Sequence, residues 1–170
     1  IEERTLLEID TKEDPNPFDN VCALNEVAIL KQDTASMLSI HAYINGEYLT
    51  SYQADGLVIA TPTGSTAYSL SIGGPILVPT SPSFILAAIA PHSLTARPLV
   101  VGDDSRILLK VESRSKHYLV SLDGHSQIFD EHTSIEVYKA AYTQKIVKRI
   151  DHTFFKTLRD KLMWGTDLRK

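Results

Sequence analysis

Leu38, Ile40, Ala42 and Ile44 alternate with Ser39, His41 and Tyr43, and the run halts at Asn45-Gly46 before a second strand-like run from Glu47 to Gln53. Period-two alternation puts one set of side chains on a buried face. Asn-Gly tolerates positive φ at both central positions of the tightest hairpin turn. The pair predicts an antiparallel hairpin. Similar segments span 4–9, 23–31, 56–61, 99–101, 106–112, 118–122, 134–139 and 145–149. Short strands parted by turn signals predict a mainly β chain, an antiparallel β-sandwich or barrel rather than repeated βαβ units.

Two stretches break the rhythm. Residues 65–72 predict a short helix stopped by Gly73-Gly74-Pro75. Residues 153–163 predict a terminal helix, with Asp151 or Thr153 as cap and Phe154, Phe155, Leu158 and Leu162 on one face. The cluster Asp14-Pro15-Asn16-Pro17 reads as a turn. The tail 165–170 reads as frayed.

With 170 residues, 43% of them apolar, the chain has material for one core. A net charge of −4 without a basic run disfavours nucleic acid as a partner. The longest apolar run, Phe84 to Ala90, ends at Pro91 and is too short for a bilayer, so no membrane partner is expected. A lone cysteine, Cys22, excludes an internal disulfide and points to a reducing, cytoplasmic compartment. The opening Ile-Glu-Glu-Arg has no initiator Met and no signal layout, so it reads as a cut inside a longer protein. The six histidines share no ligand spacing with Cys22 or with a carboxylate pair, so no metal site is expected.

One stretch stands apart. An apolar strand from Gly56 delivers a turn holding Thr61, Thr63, Ser65, Thr66, Tyr68 and Ser69, with Gly73-Gly74 after it. Small hydroxyls and glycine let a ligand approach the backbone, and amides at a helix start can donate to it. An ST-rich turn capping a short helix explains the same residues without a ligand. No Lys follows the Gly, as a phosphate loop requires, and no Gly-x-Ser-x-Gly elbow is present.

The run Thr61-Pro-Thr-Gly-Ser-Thr-Ala-Tyr-Ser-Leu-Ser-Ile-Gly-Gly-Pro75 closely resembles the signature of the NAD kinases. Leu24-Asn25-Glu26-Val27 resembles the family's Asn-Glu motif. Ala90 to Leu99, Ser121-Leu122-Asp123-Gly124 and the ending Phe154-Phe155 to Trp164 resemble its later blocks, the last in the bacterial manner. The resemblance covers nearly the whole chain, and its motifs stand in the family's order. It implies an antiparallel β-sandwich like the family's C-terminal domain, with one short helix after the Thr/Ser turn and a C-terminal helix. It implies an NAD-binding domain at 1–150, and a helix and tail at 151–170 that pack on an N-terminal domain.

The resemblance implies an enzyme that phosphorylates the 2′-hydroxyl of the adenosine ribose of NAD to make NADP. Asn25 and Glu26 would meet the adenine edge or ribose hydroxyls, and Thr63, Thr66, Ala67 and Tyr68 the adenosine. Asp55, Ser71, Ala90 and His92 are further implied contacts. Asp123 is a possible catalytic group facing the reacting ribose, and a hairpin Asp-Gly explains it as well. The family's Gly-Gly-Asp-Gly-Thr motif, implied source of the base and of the donor grip, is absent from this sequence. This chain alone is therefore expected to bind NAD or NADP without catalysis. ATP or polyphosphate, with Mg2+ or another divalent cation, would be held through that other domain. A homo-oligomer is implied as well. Ala54 stands where many members have Gly, and Gln53 where some have Arg, which leaves the preference between NAD and NADH open. The alternatives are the C-terminal domain of a diacylglycerol- or sphingosine-type lipid kinase, whose pocket should be long and apolar, and a non-catalytic β-sandwich module.

Overall fold

The structure, a computed structural model, describes residues 1–11, 17–165 and 167. The expected turn at Asp14-Pro15-Asn16 and most of the 165–170 tail lie outside them. The strands are β1 (Glu2–Asp10), β2 (Cys22–Ala23), β3 (Glu26–Lys31), β4 (Leu38–Ile44), β5 (Glu47–Ala54) and β6 (Gly56–Ala60). They continue with β7 (Ser83–Ile89), β8 (Leu99–Gly102), β9 (Ile107–Glu112), β10 (His117–Leu122), β11 (His125–Asp130) and β12 (Ile135–Ile146). A 3-10 turn at Gly64–Thr66 and two helices, α1 (Tyr68–Ser71) and α2 (Phe154–Leu162), complete the described elements.

Two six-stranded sheets form, in the orders β2-β1-β12-β9-β4-β5 and β11-β10-β3-β6-β7-β8, and the pairings within each are antiparallel. Alternation decides which side chains meet between them. Leu7, Ile9, Ile40, Ala42, Leu109, Ile135 and Val137 come from the first sheet, and Val27, Ile29, Leu57, Ile59, Phe84, Leu86 and Val120 from the second. The fold is thus a mainly β antiparallel sandwich. Asn45 (φ 52°) and Gly46 (φ 83°) both take the positive φ expected of the β4–β5 turn.

The second sheet is covered on its outer face too. Ala28, Val58, Ala60, Ile85 and Ala87 point away from the sandwich and pack with Ile72 and Leu77 of the segment after β6. Consequently every residue of β6 is buried. That double cover holds the Thr/Ser turn against the end of the sheet. The α2 helix starts at Thr153, whose Oγ1 accepts from the Lys156 N–H at 3.2 Å. Its Leu158 is buried, while Phe155, Leu162 and the following Trp164 stay exposed. No helix of the described residues is long and apolar enough to cross a membrane.

Several expectations need correction. The strand expected over 23–31 is broken at Leu24-Asn25 into β2 and β3, because the backbone there bonds to side chains instead of a neighbouring strand. The helix expected over 65–72 is a 3-10 turn at Gly64–Thr66 followed by the four-residue α1. The segments 134–139 and 145–149 are parts of one strand, β12, which stops at Ile146. β7 and β11 were absent from the expected set.

Candidate functional site

The site is built at one end of the second sheet, where β3 starts, β6 ends and the β10–β11 hairpin turns. β3 pairs with β6 from Glu26↔Ala60 to Leu30↔Gly56, and with β10 at Val27↔Leu122. Asn25 and Glu26 thereby lie between the Thr61–Tyr68 segment and Asp123. Thr61 is fully buried; its Oγ1 donates to the Leu24 carbonyl at 2.6 Å, and its N–H donates to the Asn25 carbonyl at 2.9 Å. The same Oγ1 accepts from the Gly64 N–H at 3.0 Å, so one hydroxyl shapes the turn and docks it.

Asp123 grips the other side. Its Oδ2 accepts from the Leu24 N–H at 2.6 Å, and its Oδ1 from the Asn25 and Glu26 N–H groups at 2.8 and 3.0 Å. The Asp123 N–H donates to the Glu26 carbonyl at 3.2 Å. Asp123 (φ 48°) and Gly124 (φ 89°) form the two-residue turn between β10 and β11, so the left-handed backbone there fixes where the carboxylate points.

Glu26 is the one carboxyl at this end with a raised pKa. Burial is the main cause, the nearby Asp123 charge adds to it, and a hydrogen bond from the Tyr68 backbone N–H opposes both. Its Oε2 is buried and has no hydrogen-bond partner. A buried acceptor without a donor is costly and suits a site completed by a hydroxyl from outside. Tyr68 is partly exposed beside it, Thr63, Thr66 and Ala67 are half-buried, and Ser71 is exposed at the end of α1.

A cavity of about 450 Å³ adjoins the turn, lined by Thr63 and Thr66 together with Arg4, Lys148, Arg149 and Phe154. Glu2 lines it as well, pairing with Arg4 at 3.0 Å and Lys148 at 2.9 Å. The Lys148 hydrogen bond is the main reason the Glu2 carboxyl sits below its usual range. Arg4 and Lys148 escaped sequence reasoning because they stand in the flanking strand and the α2 linker, far from the motif.

Asp55, Ala90 and His92 stand elsewhere. Asp55 precedes β6 while Thr61 follows it, so six extended residues, roughly 20 Å, separate them. Asp55 is ion-paired to Lys31 at 2.8 Å. Ala90 adopts φ 44° just after β7, and the His92 N–H donates to the Gln53 carbonyl at 2.8 Å. The structure therefore brings Asn25, Glu26, Thr63, Thr66, Ala67, Tyr68 and Asp123 to one end of the sheet and Asp55, Ala90 and His92 to the other. Among the described residues no three metal-ligating side chains gather.

Comparison with known proteins finds relatives of this sequence and of this fold. The ATP-NAD kinase C-terminal domain profile matches residues 24–149. The chain is 54% identical to the NAD kinase of Bacteroides fragilis over 169 residues, covering 99% of this chain and 58% of that protein. It is 50% identical to the NAD kinase of Porphyromonas gingivalis over 169 residues, with the same two coverages. The crystal structure of yeast NADH kinase complexed with NADH superposes with a TM-score of 0.89 at 32% identity, over 99% of this chain and 50% of that one. An NAD kinase from Archaeoglobus fulgidus in complex with ATP gives 0.72 at 30% identity, over 84% and 53%. The chain thus spans a little over half the length of the curated relatives it matches.

Proposed function

Because the chain belongs to the NAD kinase family and matches its C-terminal domain, we propose that it forms the NAD(P)-holding part of an enzyme that phosphorylates the 2′-hydroxyl of the adenosine ribose of NAD. The observation that carries this reading is the buried, unpartnered Oε2 of Glu26, set beside the Thr61–Tyr68 turn. A ribose hydroxyl donating to that oxygen removes the cost of leaving it bare. Asn25 offers an amide to the adenine edge, Thr63 and Thr66 offer hydroxyls, Ala67 gives clearance, and Tyr68 supplies an aromatic wall. Ser71 lies further along the same surface.

In this reading the chain's work is binding and orientation. Holding the accepting hydroxyl in one place lowers the entropic barrier to transfer, provided the phosphate donor is held as well. The donor, ATP or polyphosphate, and a divalent cation carried on its phosphates belong to the proposal for the whole enzyme. Among the described residues no three metal-ligating side chains gather that could hold the cation instead of those phosphates. Residues 151–170 would pack on the remainder of the enzyme. Asp55, Ala90 and His92 are too far from Thr66 to share one adenosine with it. They would meet the distal half of the dinucleotide or a nucleotide held by a second copy, and a homo-oligomer is part of the proposal. The compartment proposed is the reducing cytoplasm, in keeping with the free thiol of Cys22.

The comparisons do not support the lipid-kinase alternative. Calorimetric titration of the chain with NAD, NADP and a diacylglycerol dispersion tests the reading. Saturable binding of NAD or NADP is expected; binding of the lipid alone would overturn it.

A further inference from the structure

The backbone of Leu24, Asn25 and Glu26 carries three N–H groups and three carbonyls, and two residues account for all six. Thr61 takes the Leu24 and Asn25 carbonyls, through its hydroxyl and its amide. Asp123 takes the three N–H groups through its carboxylate and the Glu26 carbonyl through its own N–H. Four of the six bonds go to the side chains of Thr61 and Asp123, which is why the ladder is interrupted at Leu24-Asn25. Of the side chains, that of Glu26 accepts from the Tyr68 N–H and keeps its Oε2 open.

Resting on the proposed nucleotide reading, we propose that Asp123 is a positioning residue: with Thr61 it clamps the Leu24–Glu26 backbone, and it acts on the nucleotide through Asn25 and Glu26 rather than as a base.

A carboxylate that already accepts three amide hydrogen bonds has most of its lone pairs directed at the protein. Bonds to an ionised acceptor are also the stronger kind, so the carboxylate is held in that orientation. Asp123 borders a cavity of about 470 Å³ along with Asn20, Cys22 and His125, so a ligand group can reach its outer edge. The test must therefore separate direct contact from action through neighbours. Thr61 supplies an independent handle, since it grips the same tripeptide from the far side and is itself fully buried.

NADP affinity is measured by calorimetry for the 170-residue chain and for Asp123→Asn, Asn25→Ala/Glu26→Gln and the combination of all three changes. Thermal unfolding is followed in parallel. Binding by the unaltered chain establishes the nucleotide reading on its own; its absence counts against that reading and the clamp together. With binding present, Asp123→Asn, which keeps one acceptor oxygen, is expected to weaken affinity about tenfold. In the Asn25→Ala/Glu26→Gln background the same change should have almost no further effect, because residues acting as a unit are non-additive. Thr61→Val should weaken affinity, and Thr61→Ser, which keeps the hydroxyl, should restore it. Should Asp123→Asn unfold the chain, the Thr61 pair decides, with equal affinities of Val and Ser overturning the clamp. Full additivity of Asp123→Asn with the Asn25 and Glu26 changes, or affinity unchanged in Asp123→Asn, would also overturn it.

Discussion

Gly64 lies so close to Asn25 that a Cβ on Gly64 would fall 2.0 Å from the Asn25 carbonyl oxygen. That oxygen is also bonded to Thr61, so it has no room to retreat. Gly64→Ala must then push the turn off the β3 start. A destabilisation of about 1–3 kcal/mol is expected from such overpacking, together with weaker NADP binding. Urea unfolding and calorimetry check both, and a variant matching the parent in each would contradict the contact.

Ser65 ties the turn to its cover. Its buried hydroxyl donates to the Pro62 carbonyl at 2.7 Å and accepts from the Leu77 N–H at 3.0 Å. Ser65→Ala removes both, leaving the Leu77 amide without this acceptor, and should cost about 1–3 kcal/mol. Amide exchange at Leu77 should rise more than exchange in β4 and β9, which belong to the other sheet.

Thr66→Val separates binding from folding. The Thr66 hydroxyl makes only a long 3.4 Å contact to the Thr63 carbonyl, so stability should change little. If that hydroxyl meets adenosine, affinity for NAD should fall by about 1–3 kcal/mol. Unchanged affinity in a folded variant removes Thr66 from the site.

Glu26 predicts a pH signature. Its folded pKa is raised above the unfolded value of 4.5, chiefly by burial and then by Asp123. The folded state thus holds this proton more tightly than the unfolded one. The charged form costs stability, and the cost sets in as pH rises above 4.5 through the folded value. Glu26→Gln removes it, so the variant should gain melting temperature at neutral pH and gain little below pH 4.5. Its NADP affinity should fall in the same experiment. A loss of stability at neutral pH would contradict the assignment.

The sandwich was readable where burial is one-sided. β4 alternates because one face meets the core and the other does not, and Asn45-Gly46 announced its turn. β7 was missed since its centre, Phe84 to Ala87, is buried on both faces and shows no alternation. β11 was missed for the opposite reason: it is an edge strand with five of its six residues exposed, and Phe129 alone is buried. β12 read as two pieces because Ala141 to Lys145 runs past the core and no longer has a buried face. At the candidate site, the grouping of Asn25, Glu26 and the Thr/Ser turn was legible, but the separation of Asp55, Ala90 and His92 from it and the division of labour were not. Thr61 and Asp123 look like ligand groups in a string of letters. Only the pairing of β3 with β6 and β10 shows that their polar atoms face the backbone between them.

The tripeptide 24–26 depends on partners 37 and up to 99 positions away along the chain. Such a site cannot exist in a partly folded chain, because closing those long loops comes before any reward from the contacts. A nucleotide that recognises it should therefore leave the rate of folding untouched and act wholly by slowing escape from the native state. Stopped-flow refolding with and without NADP would then give superimposable folding arms, with the unfolding arm alone displaced.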